Sequence, residues 1–529
     1  MIISRFLLSL WILLLVTACS TPVTIPTSTT VPTDAPAATV AATAPTPTMA
    51  PPTGPTIAID SSTSRPFSRQ LLGTNVPAWL NPSRLSDETF IKRTTDLGLT
   101  LLRMPGGSWS NAYAWADCET GSDTCYWPWA AKPSDFLRFA RAVNSEIIWT
   151  VSINGSAQEA AALVAFFNGS VDDTRSIGID ARGRDWHTVG YWAQLRAAHG
   201  SSEPFPVRYW EIGNEVYGAK RTAGPQCSEW GWEDVWTCDA DEYLRGATIN
   251  GIVYDGYLAF YDAMKAVDPT IYIGAVGVEK PDEWTDWGHR VIAGAGEKLD
   301  FYVVHYYPYF QTPENPAGAL QQPYRSWSTI MSDLRAAFNR HLGRQVPVAV
   351  TEYNLVSFQD LDNGQLMRRA VNLLFIADTI GQMAANGVMI ANQWDLANGR
   401  AANGTDYGLL DADTFEPNPQ YYALMLWSRF GDEMLGVQSP FDPVTTLSVY
   451  AGRRSDGSLT VLAINKTDQP ITATISLPSG SWQVSATVVG ANDLLAETVT
   501  QMNPVLAGEP DDLFTFTPFA ITLLTFTGS

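Results

Sequence analysis

Tyr209-Trp210-Glu211-Ile212-Gly213-Asn214-Glu215 reads as the end of a buried strand that runs into an Asn-Glu pair. Apolar strand positions give way at once to glycine and two polar residues, the pattern of a chain leaving a core for a loop. A second acidic strand end, Val348-Ala349-Val350-Thr351-Glu352-Tyr353-Asn354, lies further along. By alternation Glu211 points to the same side as Glu215 but sits deeper. Its place is that of a supporting carboxylate or a core ion-pair member.

Counting this strand, strand patterns begin near 71, 99, 146, 207, 271, 299, 346 and 388. Each is followed by a helix-compatible stretch, with helices expected over 88–97, 134–143, 157–167, 188–199, 246–267, 366–386 and 419–430. Eight such βα units in series point to an α/β fold, a (β/α)8 barrel. After Gly436 the helical patterns stop. Stretches 447–450, 459–465, 471–476, 481–489 and 514–527 alternate like strands, which predicts a C-terminal antiparallel β-sandwich. A short strand near Ile57 precedes the barrel and is a candidate member of that sandwich. The expected domain plan is a signal peptide over 1–18, a linker over 19–55, a barrel over 56–435 (with 56–68 the candidate sandwich strand) and the sandwich over 436–529.

The chain has 529 residues, 45% apolar and 16% charged, enough for a large core plus an accessory domain. Its formal net charge of −21 leaves no cationic surplus to neutralise phosphates, which argues against a nucleic-acid partner and a polybasic membrane surface. A neutral sugar is compatible with that charge. Nineteen tryptophans supply core volume and also flat faces suited to sugar rings.

Arg5 followed by the apolar run 6–16 has the shape of a secretory signal and is too short to span a bilayer. Val16-Thr17-Ala18-Cys19 resembles a bacterial lipobox. That resemblance implies cleavage before Cys19, lipid attachment to its thiol and a surface-anchored, extracytoplasmic protein, with the membrane met only through the anchor. The Thr/Pro/Ala-rich stretch 20–55 reads as an extended tether. In an oxidising compartment Cys118, Cys125, Cys227 and Cys238 fall as two local pairs. Cys118–Cys125 with Cys227–Cys238 is the favoured of three connectivities. No His stands at metal-site spacing near either pair.

In a barrel of this kind functional side chains gather at the C-terminal ends of the strands. Glu215 closes the fourth and Glu352 the seventh, roughly opposite across the ring, so the two carboxyls can converge over its mouth. An Asn-Glu ending the fourth strand and a Glu ending the seventh resemble clan A of the retaining glycoside hydrolases, over roughly 71–430. The resemblance implies that Glu215 is the general acid/base, that Glu352 is the nucleophile and that Asn214 holds the sugar 2-hydroxyl. It places Arg103, at the end of the second strand, as support for the nucleophile. It also makes His305 and Tyr307, ending the sixth, contacts to the carboxylates. Trp394, ending the eighth, is either a stacking surface for the sugar or a packing residue.

Pro105-Gly106-Gly107-Ser108-Trp109, following Arg103, resembles the Arg…Pro-Gly-Gly loop of family 51 arabinofuranosidases, where Trp109 would line the substrate pocket. The barrel-plus-sandwich plan is shared with families 39 and 44, and Thr351-Glu352-Tyr353 is similar to the nucleophile segment of family 44. Glu352-Tyr353-Asn354 departs from the longer acidic or Trp-bearing pattern common in family 51. The implied activity is retaining hydrolysis of plant cell-wall polysaccharide, most like that of an α-L-arabinofuranosidase. An endo-acting β-glucanase or xylanase of the clan is the alternative, and a non-catalytic carbohydrate-binding lipoprotein a third reading. No metal or organic cofactor is required. Trp127 and Trp129 in one long loop, and Trp230, Trp232 and Trp236 in another, form either an aromatic rim or a satellite cluster that packs each loop on itself, each loop braced by one disulfide.

Overall fold

In the computed structural model, which describes residues 54–218, 239–506 and 513–528, eight parallel strands close into a ring. The chain enters through β1 (Thr56–Pro66), then forms β2 (Gly73–Asn75), β3 (Leu101–Met104), β4 (Glu146–Val151) and β5 (Tyr209–Ile212). A hairpin of β6 (Ala247–Ile249) and β7 (Ile252–Tyr254) follows. The ring is completed by β8 (Tyr272–Val276), β9 (Phe301–Tyr306), β10 (Val348–Tyr353) and β11 (Ile390–Gln393). The order around it is β10-β11-β2-β3-β4-β5-β8-β9, so all eight expected barrel strands are present, with edges shifted by a few residues.

The barrel strands are buried on both faces, which is why they read as near-continuous apolar runs. Leu101, Ile148, Phe301, Val303, Ala349 and Ile390 form a cluster of their own inside the ring. Their neighbours Leu102, Ile147, Trp210 and Val304 belong to the larger cluster between strands and helices. This alternation fixes which polar residues face inward. Two positions beyond Leu101, Ile148 and Val303 come Arg103, Thr150 and His305, and all three are buried. β10 breaks the rule: its register against β9 shifts between Val350 and Glu352. A bulge of this kind re-aims side chains, and here both Thr351 and Glu352 reach His305.

One expectation is corrected. The stretch 246–267 is not one helix. A short helix ends at Arg245, the β6–β7 hairpin follows, and the helix Tyr257–Val267 starts only after it. The cause is local. Asn250-Gly251 adopts left-handed backbone at both positions (φ 52° and 79°), the demand of a two-residue hairpin turn. The flanking Thr248-Ile249 and Ile252-Val253 are β-branched, which favours strand over helix.

Beyond the barrel come β12 (Glu433–Gln438), β13 (Leu447–Arg453), β14 (Leu459–Asn465), β15 (Ile471–Ser476), β16 (Trp482–Gly490), β17 (Thr500–Leu506), β18 (Phe514–Phe516) and β19 (Ala520–Gly528). They hydrogen-bond in the order β17-β16-β19-β14-β13-β12-β1-β15-β18. β1 pairs antiparallel with β12 and parallel with β15. One apolar cluster draws on Ile57, Leu447, Val461, Ile475, Phe514 and Phe526, so this sheet folds over a core separate from the barrel's. β12 and β17 were not apparent in the sequence. Cys118 and Cys125 are disulfide-bonded in the segment between β3 and β4. Cys19, Cys227, Cys238, Trp230, Trp232 and Trp236 lie outside the described residues. Among those described, no helix is long and apolar enough to cross a membrane.

Candidate active site

Arg103 is the hub of the mouth. Carried inward by alternation on β3 and wholly buried, it would be prohibitively costly without partners. It has four. Its Nε donates to Glu211, Nη1 to Asn75 Oδ1 (2.9 Å) and to Glu352 Oε1 (2.7 Å), and Nη2 to Asn214 Oδ1 (2.7 Å). Glu211 also accepts from Thr150 Oγ1 at 2.8 Å. It is therefore a buried ion-pair partner below the mouth, and one of its oxygens has no further donor.

Glu352 receives a second donor, Tyr307 Oη to Oε2 at 2.9 Å. Both of its oxygens thus accept a hydrogen bond from a fixed neighbour. Glu215 is placed differently. Its backbone is left-handed (φ 50°), a conformation L-residues other than glycine rarely hold and which costs about 1–2 kcal/mol. Asn111 secures the turn by clamping the preceding residue, donating from Nδ2 to the Asn214 carbonyl (2.7 Å) and accepting the Asn214 N–H at Oδ1 (2.9 Å). Burial raises the Glu215 pKa. The charge of Glu352 adds to that, while contact with His305 opposes it.

His305 Nδ1 lies 2.6 Å from Glu215 Oε1 and 3.6 Å from Glu352 Oε2, and its Nε2 lies 3.1 Å from Thr351 Oγ1. Burial alone would lower the imidazole pKa. The two carboxylates outweigh burial and leave it raised. The ligand-type atoms of Glu215, His305 and Glu352 all fall within 4.8 Å of one another. Three such groups could each offer one atom to a cation, but Glu352 already faces the Arg103 guanidinium, whose charge a cation would oppose. The arrangement suits two carboxyls working on one bond. One is hydrogen-bonded by a guanidinium and a phenol, the other is biased by burial toward its protonated form.

Asn214 Nδ2 is buried and has no partner, although its Oδ1 is taken by Arg103. A free donor fixed beside the two carboxyls is what a substrate hydroxyl would meet. Gly107 follows β3 with φ 73°, and a side chain there would press its Cβ to 2.3 Å from the Trp394 ring. Trp394 is 9% exposed and stands edge-on to Trp79 at 6.0 Å, so it borders the mouth while being mostly packed. Trp79 in turn meets Trp109 at 5.2 Å, and Trp109 stacks on Trp127 at 4.5 Å and touches Trp129 at 5.8 Å. The Cys118–Cys125 bridge lies just ahead of Trp127 and Trp129 in the chain.

The sequence-derived residues Arg103, Asn214, Glu215, His305, Tyr307 and Glu352 thus come together, and Trp109 and Trp394 border the same mouth through Trp79. Sequence reasoning gave no role to Asn75, Asn111, Thr150, Thr351 or Trp79. Asn75 ends the first barrel strand as Arg103 ends the second, and that shared position was the available signal. The others become visible only through their contacts.

Comparison with known proteins agrees with this fold. Residues 93–322 match the family model of the alpha-L-arabinofuranosidase 1 domain. A curated relative, intracellular exo-alpha-(1->5)-L-arabinofuranosidase 1 of Bacillus subtilis, is 26% identical over 226 residues, 40% of this chain and 37% of that protein. The match thus spans little more than a third of that relative's length. Among solved structures, an alpha-L-arabinofuranosidase from Thermotoga maritima in its arabinose complex superposes with a TM-score of 0.68 at 21% identity, covering 89% of this chain and 99% of the other. A family 44 xyloglucanase from Paenibacillus polymyxa superposes with a TM-score of 0.58 at 16% identity, covering 89% and 99%. At these identities the superpositions establish the shared fold. The chain resembles the clan A enzymes of families 51 and 44.

Proposed function

We propose that this chain is a retaining glycoside hydrolase of plant cell-wall polysaccharide, most like an α-L-arabinofuranosidase. The observation that carries the reading is the pair of carboxyls at opposite strand ends, with oxygens within 4.8 Å of one another. Inversion needs about 6.5–9.5 Å between carboxyls to seat a water, whereas retention needs about 5–5.5 Å. In the proposed cycle Glu352, ionised beside Arg103 and Tyr307, attacks the anomeric carbon and forms a glycosyl ester. Glu215 gives its proton to the leaving oxygen, then takes one from the water that releases the sugar. Asn214 Nδ2 donates to the hydroxyl beside the anomeric carbon. Trp109 and Trp394 border the ring, and no metal or organic cofactor enters the cycle.

The arabinofuranosidase reading draws on the match over 93–322 and on the named relative. The endo-acting reading, a β-glucanase or xylanase, is favoured by one observation, the broad tryptophan rim, which suits a chain of sugars. The resemblance of Val16-Thr17-Ala18-Cys19 to a lipobox and the Thr/Pro-rich stretch after it support a lipid-anchored protein held outside the cytoplasm on a tether.

The test is hydrolysis of aryl arabinofuranoside, xylan, xyloglucan, β-glucan and carboxymethyl cellulose, with product sizes and anomeric configuration followed by proton NMR. First-formed product that keeps the substrate's configuration is expected. Inverted product, or no turnover of any glycoside, would end the reading.

A further inference from the structure

A second aromatic surface stands on the loops that follow β9 and β10. Phe310 follows Tyr307 on the loop after β9, and Phe358 follows Glu352 on the loop after β10. Their ring centroids are 4.3 Å apart at 44°, yet the two residues remain 60% and 40% exposed. Large apolar rings that meet normally bury themselves against the fold, and an exposed pair marks a binding surface.

The loops beneath the pair are braced. Tyr309 and Val356 form a parallel bridge that prolongs the β9–β10 pairing, and the Ser357 N–H donates to the Tyr309 carbonyl at 2.9 Å. The Thr312 N–H donates to the Leu361 carbonyl at 3.2 Å, and its Oγ1 to Asp362 Oδ1 at 2.9 Å. Asp362 is fully buried and also accepts from the Leu366 and Met367 N–H groups and from Thr405 Oγ1. A surface held this way binds without first being ordered.

Charge narrows the occupant. Neither 307–315 nor 354–365 carries Lys or Arg, while Glu314 and Asp360 are exposed beside the rings. The loops themselves offer a polyanion no cation, whereas an apolar, uncharged face needs none. We propose that Phe310 and Phe358 form a distal platform that stacks a further ring of a neutral polysaccharide chain threaded through the mouth. This rests on the glycosidase reading, because the loops that carry the rings lead out of the strand ends at Tyr307 and Glu352. It commits the site to a groove that engages several residues of a polymer.

The test uses the full chain with Phe310→Ala/Phe358→Ala and with Phe310→Leu/Phe358→Leu, which keeps apolar volume but removes the flat faces. The ratio of kcat/KM on xylan or xyloglucan to that on an aryl monoglycoside is expected to fall about tenfold, through KM. Independently of turnover, retardation in xylan or xyloglucan gels of a Glu352→Gln background should be lost on adding either pair, and kept with Phe310→Tyr/Phe358→Tyr. An unchanged ratio with unchanged retardation in folded protein overturns the platform. Equal losses on polymer and monoglycoside overturn it as well, assigning the rings to support of Tyr307. A dimer split by the substitutions with retardation intact overturns it in favour of a face between copies. Retardation that depends on the rings in a protein that hydrolyses no glycoside upholds the platform and defeats the glycosidase reading instead.

Discussion

Two buried ionic clusters in this molecule share their ingredients and differ in completeness. At the seam between barrel and C-terminal sheet, Lys466 Nζ donates to Asp378 Oδ2 at 2.6 Å and to the Pro443 carbonyl at 2.7 Å. Tyr450 Oη donates to Asp378 Oδ1 at 2.6 Å and accepts from Gln382 Nε2 at 2.8 Å. No buried side-chain atom of Asp378, Lys466 or Tyr450 is left over. At the mouth, Arg103, Glu211, Asn214, Glu215, His305 and Glu352 also form a dense network, but Asn214 Nδ2 and Glu211 Oε2 are unpartnered and Glu215 is strained and raised in pKa. A closed network holds two domains in register. An open one stores unsatisfied valence for a substrate to complete. Burial and charge alone do not tell these apart; the leftover atoms do.

The sharpest way to break the contrast is Glu352→Ala. Turnover should fall by about 10⁴-fold or more, as when an enzyme's nucleophile is removed, while thermal unfolding still shows a cooperative transition. Near-normal kcat in purified protein would remove Glu352 from the chemistry. Glu215→Ala comes next. Substrates with poor leaving groups should slow by about 10²–10⁴-fold and activated aryl glycosides by much less, since the latter need little protonation. Equal slowing of both would deny Glu215 the role of acid.

Lys466→Met tests the other cluster. Leaving Asp378 buried without its cation should cost about 3–5 kcal/mol in denaturant unfolding, with kcat unchanged. Asp378→Leu added to it should recover most of that loss. A large kcat defect in Lys466→Met would dissolve the distinction between the two clusters.

The smallest effect expected is one of pH. The acid must be protonated to work, so the raised pKa of Glu215 carries the alkaline limb of kcat/KM above the ordinary carboxylate range near about 4.3. His305 favours the ionised form of Glu215, so His305→Gln should move that limb to still higher pH. A limb that stays or moves down would show that His305 does not govern this proton.

Much of this was legible because barrel strands advertise themselves. Runs such as Leu99-Thr100-Leu101-Leu102 and Phe301-Tyr302-Val303-Val304 are apolar on both faces, and the polar residue after each run marks the mouth. Arg103 was legible for the same reason, since a charge at the end of such a run must be partnered. The hairpin over 247–254 was missed because helical spacing of apolar residues outweighed the Asn250-Gly251 turn. β12 and β17 were missed because neither alternates cleanly. The match over 93–322 does not reach Glu352, whose place rests on strand order and geometry.

From its own letters the chain determines an eightfold alternation of strands and helices, the strands that end in Glu215 and Glu352, and a loop rich in tryptophan after Arg103. These are local matters of periodicity and turn chemistry. Tertiary structure decides that the two carboxyls converge, because convergence needs the ring to close, with β4 beside β5 and β9 beside β10. It also decides that Glu352 faces the mouth at all, because the register shift in β10 sets aside the alternation that sequence alone can read. The same closure brings Arg103 between Glu211 and Glu352, and so makes one strand-end cation hold one carboxylate in the core and another at the mouth.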